Sequence, residues 1–168
     1  MAELTPAERL QPSLLDRLTD DEPGKTVESR AQRVMTMAQL RRAVLRDLAW
    51  LLNTSARVDE EGIEDFPEVS RSVINYGIID LCGTTQSGVV HTDIERSVRE
   101  AILEFEPRVL PQGLSVRLVH GQKERGPTVV SLEITGEIWG RPLPEKLYVR
   151  TEIDLDTGEC SVPEAANG

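Results

Sequence analysis

Residues 94–118 read IERSVREAILEFEPRVLPQGLSVRL, and the spacing of their apolar residues changes part-way along. Up to Phe105 the apolar residues return every three or four positions, which places them on one face of a helix. Pro107 has no amide hydrogen and disfavours a helical conformation in the residue before it, so we expect the helix to end there. After Gly113 apolar and polar residues alternate, as in a strand with one buried face. This stretch therefore predicts a helix followed by a sheet.

The sequence before this stretch predicts two further helices. Thr36 followed by Gln39 fits a capping box, in which each side chain accepts from the other residue's backbone amide. The next helix begins at Pro67 and ends at Gly77, residues suited to a first helical position and to a left-handed stop. The apolar stripe of the first helix is Met37, Leu40, Val44, Leu48 and Leu51, and the apolar side of the second is Val69, Val73 and Ile74.

The sequence after Gly113 predicts strands. Three runs pair an apolar face with a charged one, which indicates an antiparallel sheet covered on one side only. A turn at 156–158 leads into a short last strand near Cys160. We therefore predict an α+β fold of two layers, with N-terminal helices packed on an antiparallel sheet of three to four strands. The apolar residues of the three runs are Leu114, Val116 and Leu118, then Val130, Leu132, Ile134 and Ile138, then Leu147, Val149, Ile153 and Leu155.

Composition predicts the domain organisation. Residues 1–35 are rich in Pro, Asp, Glu, Arg and Thr and hold too few apolar side chains to offset their ordering entropy. We expect a flexible segment there with a short helical turn near 13–18, a single α+β domain over 36–162, and a flexible tail at 163–168.

Charge excludes several classes of function. The 168 residues carry 19 Lys and Arg against 29 Asp and Glu, a net charge of −10, and all of that excess lies after residue 47. Such a surface repels phosphates, so we expect no nucleic-acid binding. No apolar run is long enough to span a bilayer and the start of the chain does not resemble a secretory signal, so we expect a cytoplasmic protein without membrane insertion.

The sequence shows no catalytic or metal-binding pattern. His91 and His120 have no second ligand at helical spacing, and Cys82 and Cys160 form neither a CxxC pair nor a disulfide framework. The phosphate-loop, hydrolase and metalloprotease motifs are absent. We expect no enzyme, no metal and no cofactor. The many carboxylates leave an acid-pair glycoside hydrolase as an alternative, although aromatic residues at 4% provide few walls for a sugar site.

An interaction protein remains, and two features could make contacts. A free edge of the sheet could accept a partner strand, or its charges could keep the edge monomeric. Leu14, Leu15 and Leu18 would form one apolar face of the first helical turn, which could pack on the domain or dock on a partner.

Four blocks of sequence resemble the TssE family of type VI secretion baseplate subunits, which is related to the small wedge protein of contractile phage tails. The similarity covers roughly 12–162, although Ile79 and Cys82 stand where the family often has proline and a small hydroxyl residue. The blocks, in the family's order, are LLDRL at 14–18, AVLRDLAWLLNT at 43–54, FPEV and SVINYG within 66–77, and FEPR at 105–108.

The resemblance implies a structural, non-enzymatic baseplate component. Its expected partners are TssF, TssG and TssK in the baseplate, docked at the inner face of the cytoplasmic membrane, and the sheath subunits TssB and TssC, whose assembly it would template by strand pairing. Glu106, Pro107 and Arg108 would contact the wedge, or Glu106 and Arg108 would brace the helix end internally. We expect no stable homo-oligomer. A lysozyme-like hydrolase and a small regulatory adaptor on the same fold are the alternatives.

Overall fold

The computed structural model describes residues 12–19, 23–24, 35–56, 65–81, 91–119, 129–140 and 143–162. Its helices are α1 (Leu14–Leu18), α2 (Met37–Leu52), α3 (Pro67–Ser70) and α4 (His91–Phe105), with a 3-10 turn over Val73–Asn75. Its strands are β1 (Ser115–Val119), β2 (Val129–Ile138), β3 (Glu145–Asp154) and β4 (Cys160–Ser161). They form one antiparallel sheet in the order β1-β2-β3-β4. The predicted α+β fold is confirmed.

Some predictions concern residues that the structure does not describe. Most of the N-terminal segment 1–35, all of the tail 163–168, and both Cys82 and His120 lie outside the described residues. The helical turn predicted near 13–18 is present as α1. Among the helices of the described residues, none combines the length and the apolar character needed to cross a bilayer.

The core lies between the helices and one face of the sheet. α4 packs against β1, and α2 packs against α4 and β4. Val44 and Leu48 of α2, Ile102 of α4, and Leu132 and Ile134 of β2 are completely buried in one apolar cluster. The predicted apolar faces of α2, α4 and the strands thus meet as the sequence pattern indicates.

The ends of the two long helices follow local sequence rules. Thr36 and Gln39 form the predicted capping box, with the Gln39 amide donating to the Thr36 hydroxyl and the Thr36 amide to the Gln39 side chain. α4 ends at Phe105, two residues before Pro107, as predicted. Thr92 and Glu95 have capping-box spacing at the start of α4, but the side chain of Thr92 lies outside the described residues.

The prediction of one helix from Pro67 to Gly77 is wrong in one respect. The segment instead forms α3 and, after a break, the 3-10 turn. The Ser72 hydroxyl donates to the Val69 carbonyl (2.8 Å) and accepts from the Ile74 amide (3.3 Å), so it caps a new turn instead of continuing the old one. Val73 and Ile74 then point into solvent, with 81% and 62% exposure, and do not form a packed apolar side.

Gly77 holds the chain against the end of α2. The Ile78 amide donates to the Thr54 carbonyl (2.9 Å) and the Ala56 amide donates to the Ile78 carbonyl (2.7 Å). Gly77 has a φ of +134°, and a Cβ there would lie 2.2 Å from the Thr54 oxygen. A side chain at this position would therefore break the contact between the two segments.

We predict that Gly77→Ala lowers the free energy of unfolding by about 2–4 kcal/mol, because strain and a backbone clash act together. Urea denaturation measures the loss. Gly113→Ala is the matched control, since Gly113 also has a positive φ (+83°) but open space around its Cβ position. That control should cost only about 1 kcal/mol. Equal losses for the two variants would contradict the clash.

Candidate interaction site

The Glu-Pro-Arg motif folds back on itself at the end of α4. Both Glu106 carboxylate oxygens accept from the Arg108 guanidinium, Oε1 from Nε at 2.6 Å and Oε2 from Nη2. The Arg108 amide also donates to Oε1 (3.1 Å). Glu106 is only 3% exposed, whereas Pro107 between the two is exposed. The internal brace that the sequence left as one alternative is thus present in the structure.

Arg108 also reaches across to α2. Its Nη2 bonds Asp47 Oδ2, and Asp47 Oδ1 accepts from Arg46 Nε (2.8 Å). Arg46 Nη1 in turn donates to Asp16 Oδ1 of α1 (2.6 Å). These five residues, Asp16, Arg46, Asp47, Glu106 and Arg108, form a continuous charge cluster that joins α1, α2 and the end of α4.

The pKa values in the charge cluster report how strongly its members favour their charged forms. Burial alone would lower the pKa of Arg108, but the hydrogen bonds and charges of Glu106 and Asp47 raise it well above its ordinary value. Partial burial acts to raise the pKa of Asp16, and hydrogen bonds from Ser13 and Arg46 outweigh it, so the net shift is downward. Both shifts favour the charged forms of Arg108 and Asp16.

Two neighbouring contacts fix the cluster to the rest of the fold. The Tyr76 hydroxyl lies 3.4 Å from the Asp47 carbonyl, and its ring packs edge-on against Phe105. Burial, then the charges of Asp47 and Glu106, raise the pKa of Tyr76. On the other side the Arg108 carbonyl accepts from the Trp139 amide (2.7 Å), just after β2. The motif is consequently held by both layers of the domain.

The three leucines predicted to bind a partner are exposed on α1. Leu14 and Leu18 have 71% and 74% exposure and Leu15 has 44%. The same short helix carries Asp16, whose bond to Arg46 connects it to the charge cluster. The structure therefore links both sets of predicted partner-binding residues, the leucines and the Glu-Pro-Arg motif.

Sequence reasoning missed Asp16 and Asp47 as members of this site. Arg46 lies off the apolar stripe of α2, and the acidic residues that pair with it, Asp16 and Asp47, lie in the same chain. The only local signal was the adjacent Arg46-Asp47 pair within a helix. Its pairing with Asp16 and Arg108 depends on the tertiary fold.

Side chains of α4 cover part of the outer edge of β1. Glu95 Oε1 accepts from the Leu118 amide (2.7 Å), and Arg99 Nε donates to the Leu114 carbonyl (3.3 Å). Each bond occupies a backbone group that an added strand would need. The β1 edge is thus protected at two points by its own helix.

α2 covers the opposite edge of the sheet in the same way. The Asn53 side chain accepts from the Cys160 amide and donates to the Cys160 carbonyl, both at 2.9 Å, so it takes the place of a strand next to β4. Near the start of β3, Arg41 donates to the Lys146 carbonyl (3.0 Å) and pairs with Glu145 (3.1 Å).

Comparisons with known proteins gave one finding. The protein-family model described as baseplate wedge protein gp25 matches residues 38–143, which include Arg46, Asp47 and the Glu-Pro-Arg motif. No curated protein and no solved structure matches the chain. Within the described part of the chain, no group of three or more His, Cys, Asp and Glu side chains is placed to hold a metal ion.

We predict that Arg108→Ala lowers the free energy of unfolding by about 2–4 kcal/mol, because it leaves the buried Glu106 carboxylate without its partner. Urea denaturation gives the value. Arg42→Ala, an exposed position on α2, is the control and should change stability by no more than about 0.5 kcal/mol. The brace would be refuted by equal midpoints for both variants and the wild type.

We also predict that acid releases α1. The folded pKa of Asp16 lies below its ordinary 3.8, so its contribution to docking is complete above that value and is lost as the pH falls through the folded pKa. Amide chemical shifts of Leu15 and Leu18, followed by NMR from pH 7 to 2, measure the release. Asp16→Asn should show the released shifts already at pH 7. An Asp16→Asn spectrum like that of the wild type would count against this bond.

Proposed function

The chain belongs to the family of baseplate wedge protein gp25, and on that premise we propose that it is a structural subunit of a type VI secretion baseplate. In this role it joins the TssF and TssG wedge, lies near TssK at the cytoplasmic face of the membrane, and templates assembly of the TssB/TssC sheath. The observation that carries the proposal is the family match over residues 38–143, which spans more than half of the chain. The role requires binding surfaces and no chemistry.

The first proposed surface is α1. Three exposed leucines on a five-residue helix are difficult to explain by stability alone, because they leave apolar area in contact with water. The Asp16–Arg46 bond holds this helix in place before a partner arrives, which reduces the ordering entropy of association. Burying Leu14 and Leu18 in a partner would contribute about 1.5–3 kcal/mol each.

The second proposed surface is the Glu-Pro-Arg motif. Pro107 is exposed, and Arg108 Nη1 is buried with no hydrogen-bond partner among the described residues. An unpaired buried N–H costs about 1–3 kcal/mol. The Arg108 side chain is 21% exposed, so a shift of the guanidinium on binding would let a carbonyl or carboxylate oxygen of the partner recover this cost. In this proposal Arg108 makes the contact, and Glu106 acts by holding the guanidinium in position.

The third proposed surface is the edge of the sheet, through which the chain would template the sheath. Backbone groups at a sheet edge can pair with a strand from another chain, and each added strand presents a new edge to the next. The helices protect parts of both edges through Glu95, Arg99, Asn53 and Arg41. Pairing is therefore confined to the stretches between these bonds.

We predict that Leu14→Gln with Leu18→Gln reduces co-purification of TssF and TssG with the tagged full-length chain at least tenfold, because two apolar contacts are lost. Quantified recovery from co-expressing cells is the measurement. Leu143→Gln is the control, since Leu143 is equally exposed (75%) but lies just before β3.

Three results would argue against the proposal in different ways. Undiminished recovery of TssF and TssG with the double variant would remove α1 from the docking surface. Failure of the wild-type chain to capture any baseplate subunit would refute the baseplate role. A stable binary complex with a regulator, and none with baseplate subunits, would favour the regulatory adaptor.

A further inference from the structure

In β3 the backbone amides and carbonyls of the even-numbered residues point away from β2. The Asp154 amide donates on that side to a carbonyl in the turn before β4 (3.0 Å), and the Lys146 carbonyl accepts there from Arg41. In an antiparallel strand the amide and carbonyl of a residue point the same way and alternate along the chain. The backbone amides and carbonyls of Tyr148 and Arg150 therefore also point away from β2. Among the described residues, none forms a hydrogen bond with these groups.

This opening has two defined ends. Arg41 occupies the Lys146 carbonyl at one end, and β4 pairs with Glu152 at the other. β4 ends at Ser161, and Val162, the last residue that the structure describes, lies outside the ladder. From Lys146 to Glu152 is six residues, or about 20 Å of strand. The opening thus has room for one short strand in line with β4.

The solvent face beside the opening has an ordered pattern of charge. Arg117 of β1 lies opposite Glu133 of β2, and Glu133 lies opposite Arg150 of β3. The signs alternate across the three strands, and the next position in this row falls on the open edge. Lys146 likewise lies opposite Glu137. A chain of net charge −10 therefore presents two basic side chains at the edge of its sheet.

We propose that this edge of β3 accepts a partner strand that carries two carboxylates four positions apart on its solvent face, opposite Lys146 and Arg150. The inference rests on the proposed pairing with a sheath strand and identifies both the edge and the chemistry of that strand. In this proposal the side chains at the alternate positions of the partner strand face the helix layer beside the buried Leu147 and Val149, so they are apolar.

Cross-strand electrostatics select this partner against others. Opposite charges in directly facing positions contribute about 0.2–1 kcal/mol for each pair, and like charges destabilise by similar amounts. The series Lys146, Tyr148, Arg150 is basic, aromatic and basic, so it reads the same in both directions. The charge pattern consequently favours an acidic strand but does not distinguish parallel from antiparallel pairing with β3.

A pair of synthetic peptides tests the charge preference on the full-length chain. The first is a fluorescent nine-residue peptide with valine at alternate positions, glutamates four residues apart on the other face, and threonine elsewhere. The second has lysine in place of both glutamates. We expect the acidic peptide to bind about tenfold more tightly by anisotropy. The double variant Lys146→Glu with Arg150→Glu should reverse the order.

Substitution at Tyr148 tests the edge itself. Tyr148→Pro removes an amide hydrogen that points away from β2, so it blocks an added strand and leaves the β2–β3 hydrogen bonds in place. We expect at least tenfold weaker binding of the acidic peptide. Tyr148→Ala removes the same side chain and its bond to Glu133 but keeps the amide, so it should bind like the wild type. Thermal unfolding of both variants reports whether the fold is kept.

Each remaining outcome has one meaning. Equal binding of the two peptides, absence of binding at millimolar concentration, or full binding by a folded Tyr148→Pro variant would overturn the assignment. If Tyr148→Pro does not fold, the charge-reversal variant decides the question alone. A wild-type chain that captures no TssB/TssC refutes the proposed function, whereas capture retained by folded Tyr148→Pro refutes only this edge.

Discussion

The Arg108 guanidinium is the point on which the arrangement of the helices depends. It lies between the carboxylates of Glu106 and Asp47, and so fixes the end of α4 to the middle of α2. Glu106 is only 3% exposed, so the loss of Arg108 would leave a buried carboxylate without its hydrogen bonds. One planar cation with several donors satisfies both carboxylates at once, which a lysine ammonium could not do with the same geometry.

The arrangement also explains why the site and the core differ in how far they can be predicted. Val98 and Ile102 follow from local spacing, because a helix with one apolar face has one stable way to meet an apolar sheet. The bond between Asp16 and Arg46 joins residues thirty positions apart, and no local pattern specifies it. The resemblance to a family singles out Glu106 and Arg108, whereas the part played by Asp47 follows only from the tertiary structure.

Where local prediction was wrong, a competing local interaction was responsible. Val73 and Ile74 have helical spacing from Val69, yet the Ser72 hydroxyl takes the hydrogen bonds that a continuous helix would need. The resulting turn exposes both side chains and places Gly77 against Thr54. Short polar side chains near helix ends therefore limited the accuracy of the apolar pattern.

The position of α2 beside the sheet has a geometric consequence. Arg41 and Asn53, near its two ends, bond β3 and β4, and the twelve residue steps from one to the other span about 18 Å of helix. The length of α2 between these two bonds therefore sets how many residues of β3 lie between them at the proposed pairing edge. Adding or removing one turn of α2 would change the length of that stretch by about 5.4 Å without changing any residue of β3 within it.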